Sequence, residues 1–248
     1  MIPDFPTQLR CYAAARQAAA ACGHWIYERL SDARAARGRA TLAVSGGSTP
    51  RLMFEHWASA HLDWSAIDIF WVDERAVPPN HEQSNYRLAY HWWLAPCNIA
   101  AGQVHRILGE LEPVEGARLY RDTLAAHVPE WIEKNGGDWG VPVLDVIHLG
   151  LGADGHTASL FPGLAEIGDR TGVAAAVWVE KLGQHRITLL PGVLEAARQV
   201  AMLAAGPDKA KPLGRVLAAE GDPFETPGRL APRDRTVYFI DEAATPEL

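Results

Sequence analysis

The sequence predicts an open α/β fold: a mostly parallel, doubly wound sheet with helices on both faces and a small irregular or antiparallel insertion around residues 173–190. Three observations predict it. Short apolar runs rich in β-branched residues alternate with helix-length stretches over most of the chain. Several of those runs stop abruptly at glycine-rich or charged turns. Between 173 and 190, two apolar runs follow one another with no helix between them, as in a hairpin.

Residues 7–36 read as one long helix or a bent pair, with Leu9, Ala13, Ala20, Trp25, Ile26 and Leu30 on the apolar face and Gly38 as its stop. Thr41–Val44 is a short buried strand, interrupted by Ser45-Gly-Gly-Ser-Thr-Pro50. A helix follows to about residue 60, with Pro50 in its first turn and Ser48 or Thr49 as cap. Ile67–Val72 is the next strand, closed by Asp73-Glu-Arg75, and a long polar loop runs from Pro78 to Ser84. Asn85–Leu94 reads as helix, Val104–Ile107 as a short strand, and 113–134 as a helix ended by Gly136-Gly137. Val143–Leu149 is a doubly buried strand. Past it, Gly150–Gly163 is a tight turn, and Thr157–Phe161 starts a short helix. Strands at 173–179 and 186–190 flank a loop containing Gly183. Pro191 opens a short helix, and Gln199–Ala205 is a strand. A helix to about residue 219 is capped by Asp208, and Thr236–Ile240 is the last strand. No linker or repeat divides the chain, so residues 1–248 read as one domain.

A formal charge of −7 argues against nucleic acid or an acidic membrane as partner. An anionic ligand would therefore need local cations to hold it. Cys11, Cys22 and Cys97 form an odd set without metal-type spacing, which suits reduced thiols. Pro3 and Asp4 stand where a signal peptide carries a basic segment, and no stretch approaches the ~18 apolar residues of a membrane span. The expectation is a soluble, cytoplasmic protein, a monomer or small homo-oligomer. The histidines show no metal-type spacing, so no metal and no cofactor are expected, and the nine Trp residues read as core.

Functional interest concentrates at one edge. Ser45–Pro50, Asp73–Arg75 and Gly150–Gly163 each follow a buried-type strand, and Lys209 follows a fourth. In a parallel sheet those carboxyl ends share an edge, outside which ligands bind. The first turn has the logic of a phosphate cradle: Gly46 and Gly47 expose N–H groups, Ser48 and Thr49 add donors, and a helix start points at the anion. It matches neither the Walker loop nor the dinucleotide fingerprint. Arg75 suits bidentate binding of phosphate or carboxylate. Lys209 sits near a helix start, where a bound anion would offset its unfavourable position. His156 stands at the tip of a three-glycine turn, a titratable imidazole beside unpaired backbone donors.

Ser45–Pro50, Asp73–Arg75 with Val77-Pro-Pro79 and Ser84-Asn-Tyr86, and Gly152-Ala-Asp-Gly-His-Thr-Ala-Ser-Leu-Phe-Pro-Gly163 resemble the signature segments of the 6-phosphogluconolactonase family. Val104–Ile107, Arg186-Ile-Thr188 and Gly206–Ala210 are similar to it too, so the likeness runs over about residues 40–240. It implies a fold shared with glucosamine-6-phosphate deaminase and ribose-5-phosphate isomerase. It also implies metal-free hydrolysis of 6-phosphoglucono-1,5-lactone in the oxidative pentose phosphate pathway. By resemblance His156 is the catalytic base and Asp73 its acidic companion. Gly46, Gly47, Ser48, Thr49, Arg75, Lys181, Arg186 and Lys209 then contact substrate or phosphate. Backbone donors near Gly155 or Thr157 would meet the oxyanion. Where family members often carry Ser-Pro-Lys-Pro-Pro, this chain has Val179-Glu-Lys-Leu-Gly183, keeping the Lys and losing the prolines.

Two alternatives share the cradle. A deaminase-like isomerase would need a carboxylate where this chain has Phe161, and a silent sugar-phosphate sensor would bind without turnover.

Overall fold

The computed structural model describes residues 8–132 and 140–246. In chain order the strands are β1 (Leu9–Tyr12), β2 (Ala40–Val44), β3 (Ile67–Trp71), β4 (Asp73–Arg75), β5 (Trp131–Ile132), β6 (Val141–Pro142), β7 (Val146–Gly150), β8 (Ala174–Val179), β9 (Gln184–Leu189), β10 (Gln199–Ala204) and β11 (Thr236–Asp241). The α-helices are α1 (Ala15–Arg37), α2 (Ser48–Ser59), α3 (Asn85–Ala89), α4 (Pro113–His127), α5 (Pro191–Ala196) and α6 (Ala210–Leu217). Six strands form a sheet in the order β1-β11-β10-β7-β2-β3, every neighbouring pair parallel. Every residue of β2 and β11 is buried, as expected of strands covered on both faces. Helices flank this sheet, with α1 packed across β2, β7, β10 and β11. Among the described residues no helix is long and apolar enough to cross a membrane.

The predicted hairpin is present as β8 and β9, joined through Gly183 at φ +56°. It gains a third strand, since β4 pairs with β9 and sets Asp73 opposite Thr188 and Arg75 opposite Arg186. This small antiparallel sheet swings the Asp73–Arg75 segment over the carboxyl ends of the main sheet. Trp25, Trp57, Trp64, Trp71 and Trp93 are buried as expected, whereas Trp178 is exposed on β8 and Trp139 lies outside the described residues. Trp57, Trp64 and Trp93 meet with ring centroids 4.6–5.0 Å apart, alongside Phe54.

Several boundaries differ from expectation, each for a local reason. The first helix starts at Ala15, because Leu9–Tyr12 pairs with β11 more than two hundred residues away, a tertiary gain that overrides helix propensity. Gly38 does end that helix, at φ +77° with its N–H on the Arg34 carbonyl. Gly47, not Ser48 or Thr49, occupies the cap position of α2, and no side chain caps it. The α4 helix stops at His127 because Val128 precedes Pro129, which disfavours helical backbone; the expected stop at Gly136-Gly137 lies outside the described residues. Asn85–Leu94 is helical, its second half a π-turn. Val104 makes one isolated bridge to Ile69 and no strand. Thr157–Phe161 is no helix, because Gly155 (φ +93°) and Ala158 (φ +50°) adopt left-handed backbone that breaks helical repetition. Asp208 caps nothing; it lies in a 3₁₀ turn and pairs with Lys209 at 2.7 Å.

His148 on β7 is fully buried, and burial pushes its imidazole down to about 3. Its Nδ1 accepts the Ser45 N–H at 3.4 Å, while Nε2 has no partner. A histidine depressed in the folded state stabilises fully above its unfolded value near 6.5 and loses that contribution as pH falls toward about 3. The expected slope is about 1.4 kcal/mol per pH unit in that window. Denaturant titrations of the wild type and His148→Gln across this range check it. The wild type should take up about one more proton on unfolding than the variant.

Candidate active site

At the carboxyl ends of β2, β7 and β10, the predicted turns and β4 enclose a cavity of about 340 Å³. Ser45 ties two of its walls together. Its hydroxyl donates to the His148 carbonyl at 3.0 Å and accepts the Gly150 N–H at 3.3 Å, joining the end of β2 to the end of β7. Gly46 must be glycine, because a Cβ there would lie 1.9 Å from the Asn85 amide oxygen. Gly47 adopts φ +117° and turns the chain into α2, whose uncapped first turn lines the cavity through Ser48, Thr49 and Pro50. The first N–H groups of a helix have no partner inside it, so this wall presents backbone donors and a positive dipole end.

His156 lines the same cavity. Its Nδ1 lies 2.5 Å from Asp154 Oδ1, and its ring stacks on Phe161 at 4.1 Å. The second carboxylate oxygen of Asp154 pairs with Lys181. Burial pushes the Asp154 carboxyl up, but the His156 and Lys181 hydrogen bonds outweigh it and hold the group well below the usual carboxylate range. An ionised Asp154 fixes the proton on Nδ1 and leaves the lone pair on Nε2. The turn permits this because residue 152 is glycine: a Cβ there would sit 2.0 Å from His156 Nδ1. Gly152→Ala should therefore displace the ring and cut turnover of the proposed substrate about tenfold with the fold intact, a loss read by steady-state kinetics beside a thermal melt.

In the same lining, Arg75 and Arg186 face each other as register partners of β4 and β9. Like charges directly across a strand pair are destabilising, and each guanidinium leaves a buried Nε without a partner. Burial draws the Arg186 guanidinium below its ordinary value, with Asp73 at 3.8 Å opposing the fall. Two crowded cations with unused donors are what an anion would satisfy. Lys209, which follows β10, completes this electropositive lining.

Asp73 is buried and accepts from the Ser159 hydroxyl at 2.6 Å and the Asn85 amide at 3.2 Å. Its carboxylate thus braces Arg186 and the turn after His156, and the acid that touches the histidine is Asp154. Asp154 has no role in the sequence reading; its Asp-x-His spacing is the signal in the chain that points to it. That reading also passes over Glu74, which accepts the N–H groups of Arg75, Asn85 and Tyr86 and the Ser84 hydroxyl at 2.7–3.0 Å. Burial pushes Glu74 up, against those backbone donors. The residue folds the 76–86 loop back onto β4.

Of the expected site residues, Gly46, Gly47, Ser48, Thr49, Asp73, Arg75, His156, Arg186 and Lys209 line the cavity together. Lys181 and Gly155 do not. Lys181 sits behind Asp154, with its ammonium 4.5 Å from the Phe161 ring centre. The Gly155 N–H is already bonded to the Gly152 carbonyl at 2.9 Å, so it is not a free oxyanion donor, and no helix starts at Thr157 to supply another.

A protein-family model described as glucosamine-6-phosphate isomerases/6-phosphogluconolactonase matches residues 13–239. The chain belongs to this family. Within it, the chain is 36% identical to the 6-phosphogluconolactonase of a Synechocystis species, over 88% of this chain and 89% of that one. The structure of 6-phosphogluconolactonase from Trypanosoma brucei superposes with a TM-score of 0.84 at 26% identity, covering 97% of this chain and 98% of that one. A monomeric glucosamine-6-phosphate deaminase shares the fold, with a TM-score of 0.79 at 13% identity over 96% of this chain and 98% of that one. Fold alone therefore does not separate the two activities.

Proposed function

We propose that this chain hydrolyses 6-phospho-D-glucono-1,5-lactone to 6-phospho-D-gluconate, the lactonase step of the oxidative pentose phosphate pathway, with His156 as general base. One observation carries the reading. The imidazole held by Asp154 and the facing arginine pair lie in walls of one cavity, so an anionic tail and a reacting carbonyl fit side by side. The family relatives named above act as support for the substrate.

In this mechanism the phosphate is held by the start of α2, the arginines and Lys209, which fixes the lactone C1 beside His156. Nε2 takes a proton from water as its oxygen bonds to C1, and the carbonyl electrons move onto the oxygen. A cavity-facing N–H group in the first turn of α2 that the phosphate does not use supplies the oxyanion donor, in place of Gly155. Collapse of the intermediate breaks the ring C1–O bond, and the imidazolium returns its proton to the leaving ring oxygen. Asp73 positions Arg186 and the Ser159 turn. No cofactor enters any step. The chain acts as one domain in the cytoplasm on this reading, the acidic balance and thiol usage supporting that placement.

The deaminase reading lacks its acid. Phe161 stacks on the imidazole at the place where, by resemblance, the deaminase carries Glu, and an aromatic ring cannot shuttle protons. A pH-stat assay of fresh lactone, corrected for spontaneous opening, tests the proposal beside an assay of ammonia release from glucosamine 6-phosphate. Acid release above background with no ammonia is the expected pattern. Ammonia release, or binding without acid release, would overturn it.

A further inference from the structure

At the opposite rim of the main sheet, where the parallel strands begin, three side chains far apart in sequence converge. Asp68 is the second residue of β3, His105 lies in the segment bridged to β3, and His127 is the last residue of α4. One donor atom from each lies within 4.8 Å of the others. His105 Nε2 sits 2.8 Å from Asp68 Oδ1. The His105 ring is buried between Phe70, at 4.8 Å, and His127, at 3.9 Å. Arg39 donates to Asp68 Oδ2 at 2.6 Å and to the His127 carbonyl at 3.0 Å, so it pins the carboxylate and the helix end.

We propose that Asp68, His105 and His127 form a binding site for a late first-row divalent cation, with Zn²⁺ as the reference ion. Two imidazoles and one carboxylate are a donor set that suits zinc, and three protein ligands leave a fourth position for water. Arg39 holds one carboxylate oxygen and leaves the other to the ion, which sets monodentate binding. Neutral imidazoles and an ionised carboxylate are the forms in which these three side chains ligate an ion. His127 is only half-buried at a helix end, so its ring can turn to aim a nitrogen at the ion, which replaces the present His105–Asp68 hydrogen bond. The bound ion would tie β3, the segment after it and the end of α4 together, remote from the catalytic cavity.

Zn²⁺ titration of the tag-free chain tests this by calorimetry, with Co²⁺ absorption reporting a tetrahedral site. The expected result is one ion per chain and a rise in Tm with Zn²⁺. Affinity should fall about tenfold or more in His127→Ala and in Asp68→Asn, with no Tm rise in either. Metal-free melting curves establish that each variant folds, and His127→Ala alone decides if the half-buried Asp68→Asn change does not. Equal affinity in the wild type and His127→Ala, or no binding by the wild type, overturns the proposal. None of these readouts involves lactone hydrolysis, so the outcome is independent of the catalytic reading.

Discussion

Replacing His156 with alanine is expected to lower the turnover of 6-phosphogluconolactone by about 100- to 10,000-fold, with KM changed only slightly. Deletion of the imidazole removes the only base that the structure aims from the Asp154 turn into the cavity, and leaves the anion-holding wall untouched. A loss confined to kcat is what removal of a transition-state interaction produces. The residual rate should then approach the effect of binding and oxyanion donors alone. Steady-state kinetics by pH-stat give both parameters, and near-normal kcat in the variant would end the catalytic assignment of His156.

Asp154→Asn is expected to be the next largest loss, about 100-fold or more in kcat. On the proposed mechanism the carboxylate acts through His156, accepting from Nδ1 and so reserving Nε2 for water. An amide in its place can offer an N–H instead and stabilise the tautomer with its lone pair on the wrong nitrogen. Lys181 would lose its ion-pair partner in the same variant. A general loss of packing would lower Tm and leave the pH profile in place. A tautomer defect should instead move the pH–rate profile, and Asp154→Glu should recover part of the rate. Asp73→Asn separates the two acids: it should disturb KM through Arg186 more than kcat, since Asp73 lies against Arg186 and Ser159 and makes no hydrogen bond to the histidine.

Much of the site was legible in the chain because it is written in local chemistry. Gly46, Gly47, Gly152 and Gly155 mark turns that only glycine permits, and each follows a run short and apolar enough to be a strand. Lys209 could be placed from its position after a fourth such run. What escaped notice depends on partners that sequence order hides. Leu9–Tyr12 looks helical until β11 lies beside it, and the pairing of Asp73–Arg75 with β9, which sets Arg75 opposite Arg186, is not visible from sequence order. The histidines seemed scattered for the same reason, since His105 and His127 meet over Asp68 only once α4 has docked. The short helix expected after His156 failed for a different cause: Ala158, a residue of high helix propensity, is held in left-handed backbone, where the functional turn overrides local preference.

On the proposed mechanism Arg75 and Arg186 hold the phosphate together, and their facing divides binding from speed in this molecule. Substrate and product carry the same phosphate, so a clamp that grips it does so equally before, during and after ring opening. Uniform grip of that kind lowers the concentration at which the enzyme works but leaves the barrier where it was. Selection for a faster catalyst would then have to act on the turn around residue 156, while selection for scarcer substrate would act on the small antiparallel sheet, and the two could be tuned almost separately.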